Sequence, residues 1–384
     1  MPNKNLTGAQ QRKDDDYYTK SQDILDFIIK HKNIFKGKTI VCPCDDVTGS
    51  VVYEGIINGN TNAEKISGCH RSNFAYHFAT YYKELELTGI ICSCFSPSGK
   101  GIKAIFNNKY TGSELEEHWC DCWDIENLEG NGDYRSEEVL QLCRGENKIV
   151  VTNPPFSISY SGRSLKKNPP MPRIYNENGI DYILIAPTKV YGYIWFIEDF
   201  KTKKIFSGDV IKEFLRPNGT IGKVSAMWIS NIKDIACELH GTIKPFSIYD
   251  SSNYQKPYNC DAIFVNKSNI PCNYTGIMFV GADSFGDFGT ELFEIVGHSN
   301  KLGTEVTGLT KHSKDDIKNN DSQTDLLVEI SKEEANNRNL DGNEYYTKDG
   351  IYLKKPFANV GIRWKTEMMP KAIEQPDGSI VYRY

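Results

Sequence analysis

Residues 148–158 read KIVVTNPPFSI, an apolar β-branched run followed at once by Asn153, Pro154, Pro155 and Phe156. Neither proline carries an N–H and each restricts the residue before it, so a strand through Val150 and Val151 must stop here. The groups presented at that stop suit one kind of chemistry. The amide oxygen of Asn153 and the backbone carbonyl of Pro154 could each accept one N–H of an exocyclic amine. That would favour a pyramidal nitrogen whose lone pair faces an electrophile, which adenine's delocalised amine needs in order to react. The prolines would hold the carbonyl toward a crevice, and Phe156 offers a ring face for stacking on a base. A base inside a duplex reaches such a pocket only after flipping out, at a cost of about a few kcal/mol. A second NPP, at 168–170, is preceded by Ser164, Leu165, Lys166 and Lys167 and followed by Met171, so it has neither strand nor aromatic.

The electrophile this chemistry calls for is a sulfonium methyl, hence S-adenosylmethionine as cofactor. Its ribose hydroxyls and methionine ammonium require carboxylates at strand ends. Asp45 and Asp46, which with Pro43 end the phrase TIVCPCDD, are placed for that, and Asp133 in the Gly-rich GNGDYRS could accept the cofactor's adenine amine. Other residues have plainer readings. Asp14, Asp15 and Asp16 cap a helix beginning near Ser21 or stay in solvent. Three Cys-x-Cys pairs (Cys42/Cys44, Cys92/Cys94, Cys120/Cys122), with His118 nearby, suggest zinc, but alternate strand residues face one way and structural zinc sites prefer wider spacing. Buried thiols are the simpler reading of the first two pairs, and no metal is expected. Trp228 borders the base or belongs to the core, and Lys311, His312, Lys314 and Lys318 contact phosphates or are solvated.

Elements able to position these groups are visible as short apolar runs. KTIVCPC, GIICSCF at 89–95, KIVVT at 148–152, YILIAP at 182–187 and SAMWIS at 225–230 read as strands buried on both faces. Residues 71–87 and 136–143 carry apolar residues at helical spacing, the latter with Ser136, Glu137 and Glu138 as a helix start. Alternating strands and helices imply a mostly parallel sheet with ligands in the crevice beyond its carboxyl ends. PCDD and NPPF should share that crevice. Beyond about residue 245 the texture changes to Tyr, Asn and Gly, with strand candidates at 262–265, 276–281 and 292–297. The polar stretch 299–348 reads as an exposed loop or mobile insertion.

The chain of 384 residues is 39% hydrophobic and 25% charged, which argues for a globular protein of one elaborated domain or two. The N-terminus lacks an apolar signal region and no apolar run is long enough to span a bilayer, so a cytoplasmic location and no membrane partner are expected. For such a chain the eleven cysteines are expected as reduced thiols. A net charge of −5 excludes a uniformly basic surface but leaves room for a local phosphate-binding stripe.

DDDYYTKSQDI at 14–24, CPCDD at 42–46, GNGDYRS at 130–136, VVTNPPFS at 150–157 and PYNCDAIFVNKSNIP at 257–271 together resemble the EcoRI-type adenine-specific DNA methyltransferases. The resemblance implies a Rossmann-like α/β class I methyltransferase fold: a cofactor-binding catalytic domain over 1–245, and a mixed α+β target-recognition region over 246–384 that contains the 299–348 insertion. It further implies that Tyr17, Tyr18 and Thr19 line the cofactor's methionine end and that Asp45 or Asp46 belongs to the first cofactor loop. Asp133 and Tyr134 would flank the cofactor's adenine, and Asn153, Pro154, Pro155 and Phe156 would be catalytic on double-stranded DNA. The chain departs from many methyltransferases in that PCDDVTGS offers only Gly49 in place of a glycine-rich first loop and the second strand, ending CSCFS, lacks an acidic residue, so no ribose ligand is assigned. Residues 158–180 look like a further insertion. Two alternatives stay open: the same pocket acting on an RNA adenine or a protein glutamine, and a DNA-binding anti-restriction protein without turnover.

Overall fold

The computed structural model describes residues 18–48, 72–96, 99–160, 169–215, 221–236, 248–254, 256–257, 262–266, 269–281, 292–298, 328–329, 345–348, 351–354, 359–374 and 380–383. The chain divides into two compact units, one of residues 1–187 with 203–237 and one of 188–202 with 238–384.

The first unit is built on a nine-stranded sheet. Its strands are β1 (Tyr18–Thr19), β2 (Thr39–Cys42), β3 (Gly89–Cys94), β4 (Ile102–Phe106), β5 (Trp123–Asn127), β6 (Lys148–Thr152), β7 (Tyr182–Pro187), β8 (Phe206–Leu215) and β9 (Ile221–Ser230). They lie in the order β1-β8-β9-β7-β6-β2-β3-β4-β5. The helices are α1 (Ser21–Lys30), α2 (Lys32–Phe35), α3 (Asn73–Thr80), α4 (Glu137–Cys143), α5 (Phe156–Ser159) and α6 (Met171–Glu177).

Each expected strand of this unit is present, but the sheet is mixed and not mostly parallel. Only β7, β6, β2 and β3 run parallel to their neighbours, whereas β3–β4, β4–β5, β7–β9, β8–β9 and β1–β8 are antiparallel. The reason lies in the connections. β3–β4 and β8–β9 are joined by short links that cannot carry the crossover a parallel neighbour needs. The parallel centre is the driest part: Ile149, Val150 and Val151 of β6 and every residue from Tyr182 to Ala186 in β7 are at most 1% exposed. Full burial of each such side chain contributes about 1.5–3 kcal/mol, which fixes these strands most firmly.

Helix α1 buries Ile24, Phe27 and Ile28, one stripe at helical spacing. It starts at Ser21, as the sequence suggested. Helix α3 is capped by Ser72, whose side chain accepts from the Ala75 amide, and α4 by Ser136 in the same way toward Val139.

The second unit holds α7 (Ile194–Lys201) and strands β10 (Lys256–Pro257), β11 (Ala262–Phe264), β12 (Ile277–Gly281), β13 (Phe293–His298), β14 (Val328–Glu329), β15 (Tyr345–Lys348), β16 (Ile351–Lys354), β17 (Asn359–Trp364), β18 (Lys371–Glu374) and β19 (Ile380–Arg383). They form two four-stranded sheets, β11-β12-β17-β13 and β10-β16-β15-β14, and a β18–β19 hairpin. The strands expected at 262–265, 276–281 and 292–297 correspond to β11, β12 and β13. The polar stretch 299–348, expected as a loop, contains β14 and β15, which pair with each other while β15 pairs with β16. Among the described residues, no helix is long and apolar enough to cross a membrane.

Candidate active site

Strand order reverses at β2: the chain goes first to β3 on one side and later to β6 and β7 on the other. The crevice outside the carboxyl ends of β2 and β6 is therefore a topological switch point, where open α/β sheets bind ligands. CPCDD leaves β2 at that edge and NPPF leaves β6.

The two phrases are tied directly. Thr152, the last residue of β6, donates its hydroxyl to Asp45 Oδ2 at 2.7 Å, and Ser72 at the start of α3 donates to Asp45 Oδ1 at 2.6 Å. The Asp45 amide donates to the Ser93 carbonyl of β3 at 3.2 Å. Burial pushes the Asp45 carboxyl up to about 6, the Ser72 and Thr152 hydroxyls pull it back, and the neighbouring Asp46 charge raises it further. Pro43 is buried, and its carbonyl accepts the Ser93 hydroxyl at 3.4 Å. Asp46 does a different job: its Oδ1 receives the Thr48 amide at 2.8 Å and the Thr48 hydroxyl at 2.7 Å, closing a turn.

At the end of β6, Asn153 is half-buried, with its amide oxygen shielded from solvent. Pro154 is buried and Pro155 exposed. The Pro155 carbonyl accepts the Ile158 and Ser159 amides at 3.3 and 3.1 Å and so starts α5, whereas among the described residues no backbone amide donates to the Pro154 carbonyl. Phe156 meets Phe214 edge-on, with centroids 6.2 Å apart and planes at 85°. Tyr160, fully buried, donates its hydroxyl to the Ile185 carbonyl of β7 at 2.7 Å, anchoring the far end of α5. The Asn153–Phe156 turn is thus held from both ends.

Thr19 joins this group through the backbone. It pairs with Phe214 in the β1–β8 ladder, and its carbonyl accepts the Asn73 amide at 2.9 Å from the residue after Ser72. Tyr18 pairs with Leu215, and Lys20 forms an ion pair with Glu213 of β8. Tyr17 lies outside the described residues.

The GNGDYRS loop crosses the carboxyl end of β3. Ser96 donates to the Asn131 carbonyl at 2.8 Å and Gly101 to that of Gly130 at 2.9 Å. Gly132, at φ +78°, leaves no room for a side chain, since a Cβ there would lie 2.4 Å from the Cys94 carbonyl oxygen. Asp133 is gripped by Arg135, whose Nε reaches Oδ1 at 2.9 Å and Nη2 reaches Oδ2 at 2.5 Å. Burial opposes ionisation of Asp133, but the Arg135 hydrogen bonds and charge prevail and hold its carboxyl below the usual range. Both its oxygens are engaged by Arg135, which the sequence reading did not include. Burial pushes the Tyr134 hydroxyl up to about 12, with the Ser159 hydroxyl of α5 pulling it back.

Sequence reasoning missed Ser72, Asn73, Thr152 and Arg135. Ser72 carried a signal, as a serine ahead of a helical run, and so did Thr152 as the polar residue closing an apolar strand. Other candidates are core or lie elsewhere. Trp228 stacks on Phe27 at 3.8 Å in the first unit's core. The eight described cysteines are free thiols, and the described residues contain no cluster able to hold a metal. The second NPP starts α6, with Pro170 as its N-cap and Met171 buried, so part of the expected 158–180 insertion is core. Lys311, His312, Lys314 and Lys318 lie outside the described residues.

A half-buried carboxylate and an amide carried on adjacent strand ends at a switch point make up an α/β architecture whose crevice is the candidate ligand site. The chain belongs to the adenine-specific methyltransferase EcoRI family, whose model matches residues 5–58 and 65–348, and it is an adenine-specific DNA methyltransferase. It is 27% identical over 317 residues to the type II methyltransferase M.EcoRI of Escherichia coli, covering 77% of this chain and 89% of that protein. It is 24% identical over 312 residues to the type II methyltransferase M.MpnI of Mycoplasma pneumoniae, covering 75% and 83%. It is also 24% identical over 311 residues to the type II methyltransferase M.MgeORF184P of Mycoplasma genitalium, covering 75% and 84%. No solved structure matches the chain.

Proposed function

We propose that the chain methylates the N6 amine of an adenine flipped out of double-stranded DNA, with S-adenosyl-L-methionine as donor, at the crevice between the ends of β2 and β6. The observation that carries this reading is the hydrogen bond from Thr152 to Asp45, which sets a cofactor-loop carboxylate beside the residue preceding Asn153. The parallel centre of the sheet suits the Rossmann-like arrangement expected of the family.

The residues suit the cofactor's charge. Asp45 faces Asp46, the thiols of Cys42 and Cys44, and those of Cys92 and Cys94 from β3, and no cation among the described residues. Burial keeps those thiols protonated. A half-buried carboxylate in such surroundings favours a cationic ligand group, such as an ammonium. Asp45, Tyr18 and Thr19 would hold the methionine end, with Tyr17 beside them in sequence. Pro43 and Asp46 shape the loop, and Asp133 and Tyr134 would flank the adenine, Asp133 through the Arg135 pair it makes. When bound, the cofactor supplies an electrophilic methyl group.

Asn153 and the Pro154 carbonyl then accept the two N–H groups of the target amine and orient its lone pair. The amine loses its proton only after the new C–N bond forms, so no strong general base is required. Residues 246–384 would carry the target-recognition region, and a cytoplasmic location follows from the substrate.

Labelled cofactor incubated separately with unmodified duplex DNA, RNA and protein tests the substrate class, with label expected in DNA alone. Sequencing that reads modified bases in DNA from producing cells should locate N6-methyladenine in one recurrent sequence. Asn153→Ala should keep cofactor affinity within about threefold and lose roughly 10²-fold or more of turnover. Unchanged turnover removes NPPF from the mechanism.

A further inference from the structure

The β2–β6 ladder pairs Thr39 with Lys148, Ile40 with Ile149 and Val41 with Val150, and goes no further. On its other side β6 stays in register with β7 as far as Thr152 opposite Leu184. Two residues past its last partner in β2, then, the strand carrying NPPF is held to the β2 loop by the Thr152 hydroxyl on Asp45. Thr152 is 0% exposed, so water cannot replace that donor. The second Asp45 oxygen is held by Ser72, which also caps α3. Two neutral hydroxyls from different elements therefore fix both oxygens of one carboxylate.

We propose that Thr152 is a positioning residue, keeping the Asp45 carboxylate ionised and aimed and coupling the cofactor loop to the placement of Asn153. This rests on the reading that Asp45 meets the cofactor. A change at Asp45 is passed along one hydrogen bond to the residue whose carbonyl forms the peptide with Asn153. A displacement of about 1 Å there costs up to about a hundredfold in rate, because the transfer needs an aligned approach. The groups facing Asp45 are Asp46, Cys42 and Cys44 from β2 and its loop, Cys92 and Cys94 from β3, Ser72 from α3 and Thr152 from β6. Among the described residues its titratable neighbours are a carboxylate and thiols, so removal of one hydroxyl leaves the ionised form short of a donor.

The test uses the full chain as wild type, Thr152→Val, Thr152→Ser, Thr152→Cys and Asp45→Asn. Calorimetric binding of S-adenosylhomocysteine without DNA is measured from pH 5 to 8, and single-turnover methyl transfer at pH 8 with saturating S-adenosylmethionine. Thr152→Val should move the acid limb of the binding profile up by about one to two pH units. At pH 8 it should keep affinity within about threefold and slow transfer by roughly tenfold to a hundredfold. Thr152→Ser restores both, and Thr152→Cys, a weaker donor of similar volume, shifts both part of the way and serves where the valine variant does not fold. If Asp45→Asn weakens binding while the Thr152 variants match wild type in profile and rate, Thr152 has no such role and the cofactor reading stands. If Asp45→Asn binds like wild type, Asp45 is not a cofactor ligand and the proposal falls with that reading.

Discussion

Replacing Asp45 by Asn should make the ligand-free protein more stable at neutral pH while abolishing tight cofactor binding. The Asp45 carboxyl titrates at about 6 in the folded chain, against 3.8 for the unperturbed group. A folded value above the unfolded one means that the native state binds the proton more tightly. The stability this contributes is complete below pH 3.8 and is lost as pH rises through about 6. At pH 8 the ionised group thus costs the fold roughly 3 kcal/mol. Asparagine carries no charge to desolvate. Its oxygen accepts one of the two hydroxyls, and the other rotates to accept from its N–H₂ group. The variant should gain about 2–3 kcal/mol at pH 8, a rise of several degrees in Tm for a unit of this size, and nothing near pH 4. Thermal unfolding of both proteins without cofactor, followed from pH 4 to 8, checks this. Unfolding curves whose separation does not change with pH would refute the idea that burial of an ionised Asp45 destabilises the apo protein. The opposite effects on stability and binding are those expected where a site is strained for function.

Two further substitutions probe the supports of the site. Gly132→Ala must meet the Cys94 carbonyl at 2.4 Å from a left-handed backbone, so the loop has to shift. It should lose at least about 1–2 kcal/mol of stability and most cofactor affinity, both read by thermal unfolding with and without S-adenosylhomocysteine. An undisturbed affinity would separate this loop from the cofactor site. Tyr160→Phe removes the hydroxyl that holds α5 to Ile185 and leaves that carbonyl short of a donor, at a cost of about 1–3 kcal/mol. Its turnover should fall while cofactor affinity holds, and a normal kcat would mean that α5 needs no such anchor.

The legible part of this protein is what one stretch of chain encodes by itself. Strands β2, β3, β6, β7 and β9 show as apolar runs because a strand covered on both faces has no polar positions to dilute the pattern. Strand β8, FSGDVIKEFL, alternates imperfectly, is only partly buried and shifts register twice against β9, so it gave no run to find. Strand β5 is exposed from Asp124 onward and looks like a loop. Missing those strands also hid the antiparallel flanks, since strand direction depends on which elements the connections join. NPPF stood out for a related reason. Two prolines after a buried strand are a local break with few structural uses, and the second NPP is the contrast, spent on opening α6.

Partnerships across the fold were not legible, because a serine or threonine at a strand or helix end looks the same whatever it bonds. Ser72 stands 27 residues from Asp45 in sequence and Thr152 stands 107 away. The sheet order, with β6 returning to lie beside β2, brings the Thr152 hydroxyl onto that carboxylate, and the start of α3 brings the Ser72 hydroxyl. The same order shows how the phrase PCDDVTGS, with its single glycine, could serve the proposed ligand site. Where a glycine-rich turn would offer backbone amides to an anion, this loop offers a carboxylate steadied by hydroxyls from its neighbours. On the proposed reading such a site would favour a cation, and it depends on β2, α3 and β6 being folded together. A change in any of the three should therefore reach Asn153 through Asp45, even when it leaves NPPF untouched.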